Sequence, residues 1–392
     1  MPLALWALTI SAFAVGTTEF VIVGLLPTIA TDLGVSLPSA GLLVSLYALG
    51  VTIGAPVLTA LAGGMPRKRL LLALLVLFTA GNLFAAFAPG YEALLVARFA
   101  TGLAHGVFFA IASTIATGLV STDKESSAIA LVFMGLTVAL VTGVPLGTWI
   151  GQMFGWQSTF LGVVVLALIG LVTSALLVPS DLEQEPAPGL RQLVGVLVSP
   201  RLLLVYGITA VGYGGNFIAF TYLAPMLTGV TGLSGGAVSL VIMLYGASVA
   251  AGNIVGGKLA DRMGPVDALT WIFGGLAILL VLLGIVLESS WATIAVVTFW
   301  GGFAFGNVPP LQSYVVQIAR EVEPGAVDVA SGLNIGAFNL GIAVGAGAGG
   351  IAVATLGLGS TPFVAAGFVV VSIVLTRVSG AMNDRRPVTS VE

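Results

Sequence analysis

Twelve apolar stretches of about 20 residues follow one another along the chain, separated by short polar or proline-containing segments. A helix needs about 20 apolar residues to cross a bilayer, and only 7% of this chain is charged. The sequence therefore predicts an all-α membrane protein. The expected transmembrane helices are residues 4–27, 39–62, 70–88, 92–119, 126–150 and 157–178 in the first half, and 201–228, 234–259, 266–287, 291–318, 326–352 and 360–380 in the second.

Lysine and arginine are confined to one of the two sides that alternating spans define. Apart from Arg98, each lies in or beside an even-numbered loop or in the C-terminal tail, and the odd-numbered loops contain none. Loops rich in lysine and arginine stay on the cytoplasmic side. We therefore expect a multi-pass protein with both termini in the cytoplasm. No basic segment precedes the first span, which is expected to be retained and not cleaved as a signal peptide.

Composition excludes several classes of function. The chain has no cysteine and one histidine, so disulfides, thiolate chemistry and a multi-histidine metal site are excluded. The net charge is −3 and the longest basic run is Arg67-Lys68-Arg69, so no nucleic-acid partner is expected. No clustered groups suggest a membrane enzyme. The longest polar segment between spans is about ten residues, which leaves no room for the soluble region of a sensor or receptor.

The two halves of the chain resemble each other at an offset of 198 residues. Residues 59–71 align with 257–269 through Leu61/Leu259, Ala62/Ala260, Met65/Met263 and Leu71/Leu269. The same offset carries Leu26-Pro27 onto Ala224-Pro225, and each pair is expected to end its span. Six spans per half preserve orientation, so the halves are parallel repeats. Such repeats meet around a midplane site and rock against each other in alternating access.

The repeat gives a domain plan. We expect a pseudo-symmetric six-helix bundle at residues 1–179 and a second at 201–384. The segment 180–200 begins acidic and proline-rich, as is typical of a linker. Residues 385–392 form a cytoplasmic tail.

The loop after the second span of each half resembles a signature of the major facilitator superfamily. Gly257-x-Leu-Ala-Asp261-Arg262-x-Gly264 matches that signature, and the first-half copy, ahead of Arg67, has Gly63 and Pro66 where the aspartate and second glycine would stand. The resemblance implies the twelve-helix major facilitator fold. It also implies gating roles for Gly257, Asp261, Arg262, Gly264 and Arg67, and the missing aspartate puts a first-half latch in doubt.

Three further motifs resemble the twelve-span drug:proton antiporters of that superfamily, above all bacterial sugar-efflux and chloramphenicol-resistance transporters. They are Gly16-Thr-Thr-Glu19-Phe20, Arg98-x3-Gly102-x2-His105-Gly106, and Gly135-x7-Gly143-x-Pro145-x-Gly147. The resemblance implies a carrier of the bacterial inner membrane, and not an enzyme. It would export a small neutral or amphipathic compound, a sugar or a drug such as chloramphenicol, in exchange for protons. We expect no cofactor beyond the proton gradient, and a monomer in the bilayer.

Glu19, Arg98 and His105 are ionisable residues at membrane depth. Such groups are costly in a bilayer and normally mark a transport path or a proton relay. Glu19 and Arg98 lie at similar depth, and His105 follows Arg98 by two helical turns on the same face. With spans one and four on the cavity wall, as in the superfamily, all three would face one water-accessible space. We expect Glu19 to couple to protons, with Arg98 and His105 modulating it. The alternative is a static Glu19–Arg98 ion pair beside a packing histidine.

The glycines of span five indicate close packing. Gly135, Gly143 and Gly147 fall on one side of the helix, where small residues allow close approach, and Pro145 frees a backbone carbonyl. The resemblance implies that this face seals against the second half and limits ion leak, with Gly341 and Gly345 in the matching region of span eleven.

The second-half wall of the cavity is expected to bind substrate. Its spans contain no clear mid-span charge: Phe217 and Val296 stand at the offsets of Glu19 and Arg98. Aromatic faces and amides orient an uncharged ligand without a counter-charge. The candidate substrate contacts are Tyr213, Asn216, Phe217, Phe220, Gln312, Tyr314, Asn334 and Asn339. Proton-coupled uptake by symport, or facilitated diffusion, remains the alternative on the same fold.

Overall fold

The computed structural model describes residues 2–61, 65–121, 124–180 and 195–384. Its first half contains six membrane-crossing segments, numbered span one to span six. Their helices are Leu3–Asp32, Leu37–Leu61, Arg67–Ala86, Tyr91–Gly118, then Glu125–Val138 and Val144–Phe154 joined by a π-helical turn at Ala139–Gly143, and Trp156–Leu177.

The second half repeats this arrangement as spans seven to twelve. Two of its spans are interrupted. The helices are Pro200–Phe220 with Leu223–Gly229, Gly235–Met263, Pro265–Val286, Ser290–Gly306 with Val308–Val322, Val327–Leu356, and Thr361–Asp384. Twelve segments of the described chain are long and apolar enough to cross a membrane, which confirms the predicted number and the all-α fold class.

Span one is longer than predicted. The sequence predicts that it ends at Pro27, but the helix continues to Asp32. A proline removes one N–H donor from a helix and need not stop it, and the Thr31 hydroxyl donates to the Pro27 carbonyl at 2.9 Å in the continuing turn. Pro225 likewise lies inside its helix, Leu223–Gly229. The two prolines match in the repeat without ending their spans.

Glycines bring helices together at equivalent positions of the two halves. A Cβ added to Gly54 of span two would lie 2.5 Å from the Leu103 carbonyl oxygen of span four. At the 198-residue offset, Gly252 of span eight meets the Gly302 carbonyl of span ten in the same way. Only residues without a side chain allow helix backbones to approach this closely. The predicted repeat is therefore visible in the packing.

The alternating spans give the molecule two sides. In the part of the chain that the structure describes, lysine and arginine other than Arg98 lie on one of them, which we call the basic side, and the opposite side we call the neutral side. The basic side carries Arg67, Lys68, Arg69, Lys124, Arg201, Lys258, Arg262, Arg320 and Arg377 of the described chain. Exposed tryptophans lie near both ends of the helices, as expected at membrane–water interfaces: Trp6 and Trp271 towards the basic side, Trp149 and Trp291 towards the neutral side.

On the neutral side, Tyr222 is wedged between the two halves. It lies at the interruption of span seven, and its hydroxyl donates to the Ala346 carbonyl of span eleven at 3.2 Å. The hydroxyl also packs against Gly41 of span two and Gly350 of span eleven, where a Cβ on either glycine would overlap it. Spans two and eleven therefore pack together around this tyrosine.

A second contact between the halves joins spans five and eight. Near the neutral side the Ser239 hydroxyl donates to Oε1 of Gln152 at 3.4 Å. Deeper in the membrane, Gly246 lies directly against the Leu140 backbone, whose carbonyl an added Cβ would overlap. The two halves are thus closed against each other on the neutral side.

The basic side has an open cavity along one helix of span ten. Gln312, Ser313 and Gln317 of span ten line a wide cavity of about 960 Å³. The helix that carries them, Val308–Val322, packs mainly on spans of its own half.

The ion pairs of the basic side do not bridge the opening. Arg377 pairs with Asp267 at 2.9 Å within the second half, and Arg201 pairs with Glu321 at 2.6 Å, also within it. In this conformation neither ion pair joins the two halves on the basic side.

The gating residues implied by the loop signature stay predictions. Gly264 has φ of 81° between spans eight and nine, a left-handed backbone conformation that favours glycine. Asp261 and Arg262 are exposed, and neither forms an ion pair with a residue that the structure describes. Gly257 and Arg67 lie on the same basic side. Gly63, most of the expected linker (181–194) and the tail (385–392) fall outside the described residues.

Candidate functional site

Glu19 lies deep in the protein, at the contact between the two halves. It is 7% exposed, whereas every other carboxyl in the described helices lies within three residues of a helix end. It lines a narrow pocket with no room for a water molecule, and Phe217 and Ile342 of the second half lie in that pocket's wall. The carboxyl has no hydrogen bond or ion pair with any described residue. A lone carboxyl in such a place is costly in its ionised form.

Arg98 lies beside Glu19 but does not pair with its carboxylate. It is 1% exposed, and its Nη1 and Nη2 atoms donate to the backbone carbonyls of Thr18 at 2.8 Å and Glu19 at 3.5 Å. Its Nε donates to the Leu43 carbonyl at 3.3 Å. The guanidinium lies 4.0 Å from the centre of the Tyr47 ring, a cation–π contact that is strong away from water.

His105 is attached to the same tyrosine. Its Nδ1 lies 3.0 Å from the Tyr47 hydroxyl, and the two rings pack with centroids 5.6 Å apart. Phe109, one turn further along span four, covers the imidazole at 5.2 Å. Tyr47 therefore connects Arg98 and His105, which confirms that these two residues share one face of span four.

Close packing of spans two and four places this tyrosine. Gly102 faces the Tyr47 carbonyl so closely that an added Cβ would overlap it, and a Cβ on Gly50 would lie 2.5 Å from the Phe99 carbonyl. Gly106 meets Val51 in the same way. With no side chain between the backbones, the Tyr47 ring can reach both Arg98 and His105.

The structure brings Glu19, Arg98 and His105 together but corrects their setting. We predicted one water-accessible space, whereas all three side chains are buried. The reason is that Phe20 of span one packs on Phe217 of span seven, with ring centroids 6.2 Å apart, and closes the space beside Glu19. The alternative of a static Glu19–Arg98 ion pair is not seen either, since the guanidinium binds backbone carbonyls.

Sequence reasoning missed Tyr47. A tyrosine in an apolar helix is ordinarily a packing residue, and its role depends on contacts with span four that spacing does not predict. One signal was available: at the 198-residue offset Tyr47 matches Tyr245. Tyr245 occupies the equivalent place in the second half, stacked on Phe220 at 4.8 Å and edge-on to Trp300 at 5.4 Å.

The predicted aromatic wall is a single cluster in the second half. Tyr213 packs against Phe217 at 5.2 Å, Phe217 against Phe220 at 5.4 Å, and all three lie near Phe305. These rings are buried, and Phe217 lines the Glu19 pocket. Asn216 is buried in the same helix, and its Oδ1 accepts a 2.7 Å hydrogen bond from Trp300 Nε1 of span ten. None of the rings in this cluster lines the cavity of the basic side.

The predicted amides of spans ten and eleven form a hydrogen-bonded network. The Thr209 hydroxyl donates to Asn334 Oδ1 at 2.7 Å, and Asn334 Nδ2 donates to Gln312 Oε1 at 2.9 Å. Gln312 Nε2 donates in turn to the Ser331 hydroxyl. Gln312 therefore lines the cavity with a fixed orientation.

Two other predicted substrate contacts lie differently. Tyr314 does not face the cavity: it is buried, and its hydroxyl forms a 2.6 Å hydrogen bond with Ser379 of span twelve. In this conformation the Tyr314 hydroxyl binds a residue of its own bundle, and its role as a substrate contact stays a prediction. Asn339 is buried and donates to the Ile335 carbonyl of its own helix at 3.1 Å.

The span-five glycines pack on a different partner than expected. Gly135 and Gly143 lie against Thr9 and Thr17 of span one. A Cβ added to Gly147 would lie 2.8 Å from a methyl carbon of Val21, also in span one. The predicted contact with the second half is wrong. Span five contacts span eight of the second half through Leu140, Val141 and Gln152 instead.

The distortion expected at Pro145 is present. The helix widens into a π turn over Ala139–Gly143, in which the Val144 N–H bonds to the Ala139 carbonyl. Proline has no N–H for the usual bond one turn back, so the preceding turn rearranges. The π turn presents the Leu140 backbone to Gly246 of span eight.

These features are those of a membrane carrier: two repeated bundles that close on one side, an open cavity on the other side, and ionisable groups buried where the bundles meet. The sequence profile of the Major Facilitator Superfamily matches residues 8–327, and the chain belongs to this superfamily. Its members are carriers, so the chain is a transporter and not an enzyme. The resemblance stated from the sequence motifs is thereby confirmed.

Several relatives cover nearly the whole chain. An uncharacterized MFS-type transporter of Bacillus subtilis (strain 168), YtbD, is 48% identical over 382 residues, 97% of this chain and 96% of the relative. The inner membrane transport protein YdhP of Escherichia coli (strain K12) is 40% identical over 355 residues, 91% and 90% of the two chains.

Two more distant relatives have names that state a substrate. A chloramphenicol resistance protein of Streptomyces lividans is 35% identical over 348 residues, 88% of each chain. A probable sugar efflux transporter of Mannheimia succiniciproducens is 31% identical over 364 residues, 93% and 90%.

A solved structure has the same fold. The crystal structure of a bacterial homolog to the human lysosomal transporter Spinster, in an inward-facing and unoccupied conformation, superimposes with a TM-score of 0.77 over 98% of both chains at 14% identity.

Proposed function

We propose that this transporter exports a small neutral or amphipathic compound in exchange for protons, by alternating access between the two sides of the membrane. The observation that carries the proposal is Glu19. It is a deeply placed carboxyl at the contact between the two halves, with no ion pair among the described residues. A carboxyl in this setting can take up a proton in one conformation and release it in the other, because its surroundings change when the halves move.

The proposed substrate class follows from the residues of span ten that line the open cavity. Gln312, Ser313 and Gln317 supply amide and hydroxyl groups there, and one charged side chain, Arg320, lines the cavity with them. Amides and hydroxyls orient an uncharged ligand. A hydroxylated compound such as a sugar, or an amphipathic drug such as chloramphenicol, fits this lining. The names of the Streptomyces lividans and Mannheimia succiniciproducens relatives support the same two classes.

The orientation completes the proposal. With lysine and arginine on one side, the positive-inside rule places the basic side and both termini in the cytoplasm of a bacterial cell. The open cavity then faces the cytoplasm, where an exporter takes up its substrate. Since one chain supplies both halves and the cavity, we propose a monomer as the functional unit. The proton gradient is the driving force, with no cofactor.

The proposal is tested in everted membrane vesicles that hold a preset acidic interior. Chloramphenicol and a panel of neutral sugars are added, and a pH-sensitive dye reports the gradient. Exchange predicts that a transported compound dissipates the gradient as it enters the vesicle. Vesicles without the transporter are the control.

The same assay decides the alternative of symport or facilitated diffusion. Proton movement in the direction of the substrate indicates symport, and substrate movement that leaves the gradient unchanged indicates facilitated diffusion. Either result contradicts antiport.

A further inference from the structure

Tyr47 contacts each part of the buried ionisable cluster. It lines the pocket of Glu19, its ring face lies 4.0 Å from the Arg98 guanidinium, and its hydroxyl lies 3.0 Å from His105 Nδ1. It is 1% exposed and belongs to span two, which also packs against span eleven of the other half.

The Arg98 guanidinium lies beside the Glu19 carboxyl without pairing with it, and this arrangement needs a physical cause. An unpaired carboxylate and an unpaired guanidinium in a membrane interior attract each other strongly, since neither has water around it. Yet the guanidinium donates to the Thr18 and Glu19 backbone carbonyls and leaves the Glu19 carboxyl alone. The Leu43 carbonyl accepts from Nε, and the aromatic face of Tyr47 lies 4.0 Å away. A ring face carries negative potential, so a desolvated cation binds it firmly.

We propose that Tyr47 is a positioning residue of the proton site, holding Arg98 away from the Glu19 carboxyl and fixing the ring of His105. The proposal rests on the proposed proton coupling through Glu19. Without the aromatic ring, Arg98 is free to turn to the carboxylate, and a paired cation stabilises the ionised form of a carboxyl. Glu19 would then need more acid to bind a proton. The other titratable groups nearby are Tyr213 of span seven and, behind Phe220, Tyr245 of span eight.

Two substitutions separate the ring from the hydroxyl. Tyr47→Leu removes both, and the pH at which gradient-driven transport is half-maximal is expected to fall by about one unit or more. Tyr47→Phe keeps the ring, so this midpoint stays at the wild-type value. Its maximal rate is expected to fall several-fold, because His105 loses the hydrogen bond that orients it. The probes are chloramphenicol and the neutral sugars, in the vesicle assay.

The repeat supplies a matched control. Tyr245→Leu removes the tyrosine at the 198-residue offset, which is equally buried but packs on Phe220 and Trp300. Its pH midpoint is expected to equal that of the wild type. Substrate counterflow without a gradient checks that each variant is folded. If Tyr47→Leu is absent from the membrane, Tyr47→Met replaces it, and the same fall in the pH midpoint is expected.

Each outcome decides the inference separately from the proposed function. A wild-type midpoint in a folded Tyr47→Leu variant overturns it, and so does an acid shift in Tyr47→Phe as large as that in Tyr47→Leu. If the wild-type protein itself moves substrate with no proton exchange, the proposed function fails first. An acid shift in Tyr47→Leu alone supports the inference.

Discussion

The two halves of this transporter share a fold and differ in the chemistry of equivalent positions. Where the first half has Glu19, the second has Phe217, and where it has Arg98, the second has Val296. Tyr47 and Tyr245 are identical, but one contacts a cation and an imidazole while the other stacks on aromatic rings. The repeat therefore preserved helix packing and changed what the packed positions do. Under the proposed function, the first half handles protons and the second recognises substrate.

The largest effect that this comparison predicts is at Glu19. Glu19→Gln is expected to abolish gradient-driven transport while substrate counterflow without a gradient continues, because the amide keeps the shape but cannot exchange a proton. The measurement is substrate accumulation in everted vesicles. Glu92→Gln, which removes an exposed carboxyl of the same half, is the control and should transport normally. Normal gradient-driven transport by Glu19→Gln would end the assignment of proton handling to this residue.

The next effect concerns the boundary between the halves. Gly246→Val places a side chain against the Leu140 carbonyl, and this overlap is relieved only if spans five and eight separate. We expect the neutral side to open. Since the chain has no cysteine, a single Ser45→Cys substitution between spans two and eleven reports the opening, through several-fold faster labelling by a membrane-impermeant thiol reagent.

The control for this variant lies in the same helix. Gly236→Val adds its side chain where no atom lies within 4 Å, so labelling should stay at the wild-type rate. Equal labelling of both valine variants would show that the Gly246 contact does not hold the neutral side closed.

A smaller effect is expected within the second half. Thr209→Val removes the hydroxyl that donates to Asn334 and leaves a buried amide oxygen without its donor. The cost is about 1–3 kcal/mol of stability, seen as a lower unfolding temperature. In Thr376→Val the lost hydroxyl donates to the Ser372 carbonyl of its own helix and to no other residue that the structure describes, so the change should be well below 1 kcal/mol. Equal losses in the two variants would show that the network of Asn334 adds nothing.

The sequence predicted the parts that depend on a single helix or on composition. Hydropathy gave the twelve spans, and Glu19, Arg98 and His105 stood out because ionisable residues at membrane depth are rare. Their separation along the helices was enough to place Arg98 at the level of Glu19, which the hydrogen bond to its carbonyl confirms.

The parts that depend on how helices face each other were not predictable. Tyr314 turned out to bond to Ser379, because span ten is interrupted and residue spacing across a break does not indicate a face. The glycines of span five pack on span one, since small residues permit close contact without specifying the partner. Tyr47 was missed for the same reason: its contacts come from span four.

The division between the halves is tested most directly by counting protons when substrate binds. Calorimetric titration of the purified protein with chloramphenicol, or with whichever sugar dissipates the gradient, is done in two buffers of different ionisation enthalpy. We predict that the wild-type protein exchanges about one proton per substrate bound, and that Glu19→Gln binds with similar affinity and exchanges none. Unchanged proton exchange in Glu19→Gln, or loss of substrate binding in a folded Glu19→Gln protein, would contradict the separation of proton handling from substrate recognition.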